Sequence, residues 1–298
     1  MSALLKLEIV RGSESWDFSD MIDWSPATLA GFGLPPIHRL NLRGPMQHGD
    51  SDVGFRLDPV FMQITTNMDA TSLANQYALR AIMLEAFKPS DDPLILRVTL
   101  PDASVRCRDV FTVGGLTFDS EQFGGFFGTI PVQLKASDPT WYDPVLLTEG
   151  WAVAGVGTGM PIPLTIPWTI GSSIIDQTKV ITNTGDWQSY PILRITGPIT
   201  NCVITNLTVD NDKLDFTGIT IAAGNYYEID CRYGYKTVKN AAGANKIAEL
   251  TNDSDLATFR IEATPKALNN ENVLRVQGSA ATGATRVAIT YTPRFIGI

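Results

Sequence analysis

The regular spacing of turn residues in the second half of the chain is the strongest constraint on its fold. From residue 178 onward, short alternating runs are separated by Gly, Pro or Asn turn signals at intervals of roughly 8–12 residues. Typical runs are YPILRITG (190–197), KLDFTGITIAAG (213–224), FRIEATP (259–265) and RVAITYTP (286–293). Alternation at this spacing predicts strands that pack as an all-β sandwich.

The first half also reads as mainly β, with one exception. Residues 4–10 and 60–66 alternate as strands do, and further strands follow residue 93. Residues 69–88 instead repeat apolar side chains at three- and four-residue spacing, with Asp69 or Thr71 available as a cap and Pro89 just beyond. This pattern predicts a helix. The first half is therefore expected to be a β-sandwich or split barrel with one helix.

Composition and charge both change near the middle of the chain. The segment 151–171 is rich in Gly and Pro, as linkers often are. Residues 1–150 hold 11 basic and 19 acidic side chains, a difference of −8, whereas residues 151–298 hold 12 of each. These signals predict one domain over 1–150 and a second, β-sandwich domain over 151–298.

Several classes of function are disfavoured by composition. A net charge of −8 supplies no basic surface for nucleic acid, whose binding depends on Lys and Arg. No apolar run approaches the roughly 20 residues of a membrane-spanning helix, and we expect no signal peptide. The three cysteines, Cys107, Cys202 and Cys231, form no CxxC pair and are expected to be buried free thiols.

No motif predicts catalysis, a cofactor or a metal. His38 and His48 flank a turn, but no Cys or carboxylate stands at zinc-ligand spacing. Prolines follow the Gly155, Gly157, Gly159 series, which argues against a dinucleotide fingerprint. Residues 209–215 carry Asp210 and Asp212 but fail the calcium-loop pattern and favour a hairpin turn. We therefore predict no catalytic, cofactor-binding or metal-binding residue, and no enzyme.

The aromatic side chains leave two interpretations open. They could form a stacking platform for sugars, which would make the chain a carbohydrate-binding β-sandwich protein for attachment to a host surface. We favour packing in the core and at interfaces, because aromatic side chains dominate both. The residues concerned are Trp141, Tyr142, Trp151, Trp168 and Trp187.

A set of turn and strand residues resembles a known family over most of the chain. The set begins with Asn183-x-Gly185, Tyr190-Pro191-x-Leu193-x-Ile195-x-Gly197-Pro198 and Ile204-x-Asn206. It continues with Asn272-x-Leu274-x-Val276 and Val287-x-Ile289-x-Tyr291-x-Pro293-Arg294-Phe295, and Ser137-Asp138-Pro139-Thr140-Trp141-Tyr142-Asp143 lies at the boundary. In order and spacing, this set resembles the distal tail proteins of phages with long non-contractile tails.

The resemblance implies a structural virion protein at the tail tip. Its first domain would form a homo-hexameric ring around the DNA channel, and its second, galectin-like domain would project outward. The implied partners are the tail tube protein, the tail tip hub protein and receptor-binding proteins. DNA would pass through without specific binding, and neither a membrane nor a cofactor is implied.

The acidic first half suits a channel wall, because like charge keeps passing DNA from adhering. The alternative is an acidic surface that serves solubility. The candidate wall residues lie in turn-like segments: Asp50, Asp52, Asp91, Asp92, Asp119 and Glu121. Residues 183–206 are instead expected to form a corner of the sandwich, with Ile192 or Leu193, together with Ile195, on the buried face.

Overall fold

A computed structural model of the chain describes residues 6–118, 127–153 and 174–298. Asp119, Glu121, the Gly155, Gly157, Gly159 series and Trp168 lie outside these ranges. The described chain is mainly β with one α-helix, which confirms the predicted fold class. In the described part, no helix has the length and apolar character needed to cross a membrane.

Contacts divide the chain into two units, which are described separately. The first unit comprises Met1–Pro144 together with Phe295–Ile298, and the second comprises Val145–Arg294. The C-terminal residues thus belong to the first unit, a connection that the turn spacing did not predict. Within the first unit, the Ile298 amide donates to the Phe32 carbonyl over 3.1 Å. That domains 1–150 and 151–298 fold independently stays a prediction.

The first unit is built on a sheet in the order β2-β1-β7-β8-β9-β6-β3. Strand β8 pairs with β7 through residue 110 and with β9 from residue 111, with a register shift between Thr112 and Gly114. One long strand therefore carries the sheet around a corner. The elements of this unit are β1 (Lys6–Arg11), β2 (Glu14–Asp17), β3 (Trp24–Ala30), β4 (Ile37–Leu42), β5 (Ser51–Leu57), β6 (Val60–Asp69), α1 (Leu73–Ala86), β7 (Leu94–Thr99), β8 (Val105–Gly114), β9 (Phe127–Ala136) and β10 (Trp141–Tyr142).

Helix α1 begins later than the sequence predicted. Its N-cap is Ser72, not Asp69 or Thr71, and the Ser72 hydroxyl accepts a hydrogen bond from the Asn75 amide over 3.2 Å. The Asn75 side chain accepts from the Thr71 amide over 3.0 Å. This reciprocal arrangement satisfies two amides that the helix cannot, and it decides which of several candidate caps is used.

A buried arginine organises the core of the first unit. Arg108 is fully buried and donates to the backbone carbonyls of Gly31, over 3.1 Å, and Pro139, over 2.8 Å. Its guanidinium lies 4.1 Å from the centroid of the buried Trp141 ring. Burial lowers the pKa of Arg108 to about 10. The guanidinium thus ties two loops together across the core.

The second unit is a sandwich of two antiparallel sheets, in the orders β11-β19-β13-β16-β17 and β12-β18-β14-β15. Leu193 and Ile195 are fully buried while Ile192 is only half-buried, so the predicted face of the 190–197 strand is confirmed. The strands are β11 (Leu147–Ala152), β12 (Ile174–Thr182), β13 (Ile192–Thr196), β14 (Ile199–Asn206), β15 (Asp212–Ile221), β16 (Tyr226–Asp230), β17 (Thr237–Asn240), β18 (Glu271–Ser279) and β19 (Arg286–Tyr291). The last strand of the chain, β20 (Arg294–Phe295), pairs instead with β10 in the sheet of the first unit.

The first residues of the family-like stretch form a corner of this sandwich. The buried Asn183 side chain accepts a hydrogen bond from the Gly185 amide over 3.0 Å, which makes a tight turn. A Cβ at Gly185 would lie 2.2 Å from the Arg294 carbonyl oxygen. Only glycine lets the turn approach the Arg294 backbone this closely, and the neighbouring Trp187 amide donates to that carbonyl over 3.0 Å. The stretch is architecture here, as predicted.

Two further residues of the family-like pattern hold a segment that was wrongly predicted as a strand. Residues 259–265 form only an isolated bridge, between Ile261 and Ser189. Their backbone is bonded instead by the buried side chains of two asparagines: Asn206 donates to the Arg260 carbonyl over 2.8 Å. Asn272 bonds both the amide and the carbonyl of Glu262, over 2.8 and 2.9 Å. The side chains thus replace the ladder that a neighbouring strand would supply.

Candidate functional site

Strands β4 and β5 form a hairpin that stands outside the main sheets. They pair with each other from Ile37↔Leu57 to Leu42↔Ser51 and make a separate two-stranded sheet in the described chain. Every residue of β4 is exposed. A lone two-stranded hairpin is marginally stable in water, so this one is suited to being covered by another surface.

The hairpin exposes large apolar side chains on strands and turn alike. Met46, in the turn, is 98% exposed, and Phe55 is 48% exposed. These groups lie on both faces of the ribbon, with Ile37 and Phe55 on one and Leu40 and Leu42 on the other. Exposed apolar groups of this kind mark interaction surfaces. The set that we call the apolar hairpin surface consists of Ile37, Leu40, Leu42, Met46, Val53 and Phe55.

The charges of the hairpin are paired along its length. Arg39 Nη1 lies 2.9 Å from Asp52 Oδ2, and the Arg39 guanidinium lies 5.5 Å from the Phe55 ring centroid. Arg43 lies 4.0 Å from Asp50. Asp50 and Asp52 are therefore both paired with arginines. These exposed pairs contribute little to stability, but they lower the net charge around the apolar side chains.

The other predicted residues are not gathered into a site. His38 lies on β4 and His48 in the hairpin turn, and no group of three potential metal ligands occurs in the described residues. Asp91 and Asp92 lie in the turn between α1 and β7. The structure therefore brings Asp50 and Asp52 together on the hairpin but leaves Asp91 and Asp92 in a different segment.

All three cysteines are free and buried, as predicted. Burial raises the pKa of Cys202 and of Cys231 to about 12 and also raises the pKa of Cys107. Thiols with raised pKa values are poor nucleophiles, because the thiolate is the reactive form.

The tryptophans in the described part of the chain do not form an open platform. Trp141 is fully buried, with its ring centroid 5.4 Å from that of Phe32, and the expected packing role is confirmed for it. Trp151 and Trp187 are half-buried. Tyr142 is also half-buried, and its hydroxyl donates to Asp109 over 2.7 Å.

The outward-facing row of β6 and β9 in the first unit carries neutral polar side chains between two exposed phenylalanines, Phe61 and Phe127. On the paired strands β6 and β9, Gln63 faces Gln133, and Asn67 faces Thr129 with a 3.0 Å hydrogen bond between their side chains. Charged side chains stand only at the ends of this row, at Lys135 and Asp69. The sequence analysis did not predict this surface, because it considered only acidic residues in turn-like segments as candidates for the channel wall.

Comparison with solved structures gives a full-length match. The crystal structure of the Dit protein (gp19.1) of phage SPP1, described as a paradigm of the hub adsorption apparatus in phages that infect Gram-positive bacteria, superposes with a TM-score of 0.64. The match covers 97% of this chain and 99% of that one, at 13% sequence identity. The chain has the fold of a phage distal tail protein.

Two weaker matches come from baseplate structures of phage p2 in an activated conformation, one with Sr and one with Ca. Their TM-scores are 0.45 and 0.43, at 12% and 11% identity, and each match covers 96% of this chain and 97% of the other. No protein-family model and no curated protein sequence matches the chain. The distal tail fold thus rests on the SPP1 match, and it agrees with the family that the turn residues resemble.

Proposed function

We propose that the chain is a structural protein of a phage tail tip. The observation that carries this proposal is the end-to-end fold match to the SPP1 Dit protein, which spans both units rather than one common domain. In this role the protein joins the tail tube protein to the tail tip hub, offers its second unit to receptor-binding proteins, and resides in the virion without catalysing a reaction.

The first unit assembles copies of the chain into a hexameric ring. The apolar hairpin surface supports this proposal, because a hairpin without a neighbouring strand gains stability when a second copy covers it. A head-to-tail contact repeated around an axis would close into a ring.

The ring surrounds a channel through which DNA passes. We place the surface of β6 and β9 on the channel wall, in place of the turn acids. Gln63, Gln133 and Thr129 offer no cation to hold a phosphate, so a polyanion would slide past them. The proposal therefore rests on the lack of positive charge between the ends of the row, where Lys135 and Asp69 stand, more than on an excess of negative charge.

The assembly is tested by the mass of the particle in solution, measured by native mass spectrometry. We expect six copies for the natural chain. Val53→Asp should weaken association on the order of 100-fold, equivalent to about 2.7 kcal/mol, because the new charge would be buried in the contact. Val180→Asp is the matched control, since Val180 is an exposed strand valine of the second unit.

A monomeric natural chain would contradict assembly. Unchanged association of Val53→Asp would move the contact away from the hairpin. The channel wall is tested separately in virions with Gln63→Lys and Gln133→Lys, which should eject DNA more slowly. Lysines at Asp91 and Asp92 should leave ejection unchanged, and slower ejection from these instead would restore the turn acids as wall residues.

A further inference from the structure

The loop between β16 and β17 carries exposed aromatic rings that are not part of the core. Tyr233 is 69% exposed and Tyr235 is 61% exposed, on either side of Gly234, whose φ of +81° few other residues adopt. Tyr190, which precedes β13, lies beside Tyr233. We call Tyr190, Tyr233 and Tyr235 the tyrosine platform.

The first two rings of the platform are fixed against each other. Their hydroxyls lie 2.9 Å apart and their ring centroids 4.5 Å apart, in an edge-to-face arrangement. The Gln188 side chain donates to the Tyr190 hydroxyl over 3.0 Å. Lys236 Nζ lies 4.7 Å from the Tyr190 centroid and 4.9 Å from the Tyr233 centroid, within the range of a cation–π contact.

The lysine is itself anchored. Lys236 Nζ donates to the carbonyls of Cys231, Ala257 and Leu256, over 2.5, 2.9 and 3.3 Å. Three carbonyl acceptors use all three donors of the ammonium group. The rings therefore rest on a rigid support, which lowers the entropy that a ligand would otherwise have to offset on binding.

The third ring is held by an ion pair. Arg232 Nε and Nη2 both donate to the Asp230 carboxylate, over 3.0 and 2.8 Å, and the guanidinium lies 4.5 Å from the Tyr235 ring centroid. Arg232 Nη1 and its two N–H donors stay outside this ion pair. The exposed Tyr235 ring thus lies beside the Arg232 guanidinium, which keeps hydrogen-bond donors outside the ion pair.

We propose that the tyrosine platform is a binding site for a pyranose ring of a glycan. The apolar face of the sugar would pack on Tyr233 or Tyr235, while its hydroxyls accept from Arg232 Nη1. This combination of an aromatic face and an adjacent polar fork matches a molecule with one apolar face and a polar rim. The inference is independent of the proposed tail role.

The size of the platform favours a sugar over a protein partner. One six-residue loop and Tyr190 supply all of its rings, whereas a stable protein interface covers about 800 Å² on each partner. Its flanks are Gln188, Asp230 and Arg232, so the rings do not continue into a wider apolar patch such as a protein partner would cover.

The test is saturation-transfer NMR on the full chain with glucose, galactose, mannose, rhamnose, N-acetylglucosamine and N-acetylgalactosamine. We expect at least one of these sugars to bind saturably. Tyr235→Ala should weaken that binding about tenfold, whereas Tyr235→Phe, which keeps the ring, should retain it. Tyr77→Ala is the matched control, because Tyr77 is an exposed tyrosine of the first unit.

Tyr233→Ala should weaken binding as well. Because Tyr235 takes no part in the contacts that fix Tyr190 against Tyr233, Tyr235→Ala should leave that pair of rings in place, so a loss of binding in this variant would not come from misfolding. Binding of none of the six sugars would overturn the proposal. Equal binding by Tyr235→Ala and the natural chain would also overturn it. The proposal would also be overturned if Tyr235→Ala bound sugar normally but no longer associated with other tail proteins, because the platform would then be a protein contact.

Discussion

The two units differ in how far they cover their own apolar side chains. Of the large apolar side chains that are exposed in the described residues, 16 lie in the first unit and eight in the second. Six of the 16 form the apolar hairpin surface. The first unit is therefore the one that a partner is expected to cover, whereas the second has largely completed its own burial.

The units also differ in how they satisfy buried polar groups. The first buries a charged side chain, Arg108, and bonds it to two backbone carbonyls. The second buries neutral amides, Asn206 and Asn272, and uses them to hold an irregular segment. Buried neutral amides cost less to desolvate than a buried charge. The second unit also buries a carboxylate, Glu262, but pairs it with Arg260 over 2.5 Å.

The largest expected effect tests whether the second unit is needed for assembly. Ile195→Asp places a charge in the centre of β13, between β16 and β19, and should destabilise the second unit by more than about 4 kcal/mol. Calorimetry of the full chain should show that the transition of this unit is lost. Val180→Asp, at an exposed strand position of the same unit, is the control and should keep the transition.

If the comparison between the units is right, Ile195→Asp will still assemble through its first unit. Loss of both the transition and the assembly would show that the second unit takes part in the contact, and an unchanged transition would contradict the register of β13.

A smaller effect is expected from the asparagine clamp. Asn272→Leu leaves the amide and the carbonyl of Glu262 without their partners and should cost the second unit about 3 kcal/mol, measured by denaturant unfolding. Asn252→Leu changes an exposed asparagine of the same unit and should cost less than about 0.5 kcal/mol. Equal effects of the two changes would mean that the clamp contributes nothing specific.

A matched pair of aromatic residues tests where the C-terminal residues belong. The Arg106 guanidinium lies 3.6 Å from the Phe295 ring centroid in the first unit, and the Arg194 guanidinium lies 3.6 Å from that of Tyr226 in the second. Phe295→Ala should lower the stability of the first unit by about 2 kcal/mol, and Tyr226→Ala should lower only that of the second. If Phe295→Ala instead lowers the stability of the second unit, the C-terminal residues do not belong to the first unit.

The sequence predicted elements well where alternation reports on burial between two sheets. Leu193 with Ile195, and Leu274 with Val276, alternate with exposed or half-buried residues on strands that exist. Phe259, Ile261 and Ala263 alternate in burial just as well, yet their segment is not a strand. Alternation reveals which side chains are buried but not what bonds the backbone, and here the bonds come from Asn206 and Asn272.

The exposed surface of the hairpin and the tyrosine platform escaped prediction for related reasons. Strands β4 and β5 expose most of their side chains, so no alternation marked them. Tyr233 and Tyr235 flank a glycine in a turn, a signal that was present in the sequence, but the sequence-based prediction of an aromatic platform rested mainly on tryptophans. Surfaces that bind a partner leave only weak hydrophobic patterns in the sequence, because their side chains are not buried within the chain.

The smallest expected effect concerns Asp212, at the start of β15. Burial raises the pKa of this carboxyl, as do the nearby Asp255 and Asp210, while Thr258 and Arg260 act in the opposite direction. The Oδ2 atom has no hydrogen-bond partner in the described part of the chain. Ionised Asp212 therefore destabilises the folded second unit, and Asp212→Asn should stabilise it at neutral pH by less than about 1 kcal/mol.

The sign of the pH dependence makes this small effect measurable. A raised pKa means that the folded state binds more protons than the unfolded state in the range between the ordinary value of 3.8 and the folded value. The stability of the natural chain should thus fall as pH rises through this range, and the advantage of Asp212→Asn should appear there and persist above it. Below 3.8 both states are protonated and the two proteins should unfold alike, as followed by denaturant midpoints. An advantage that is equally large at low and neutral pH would mean that the substitution acts through packing rather than through the charge.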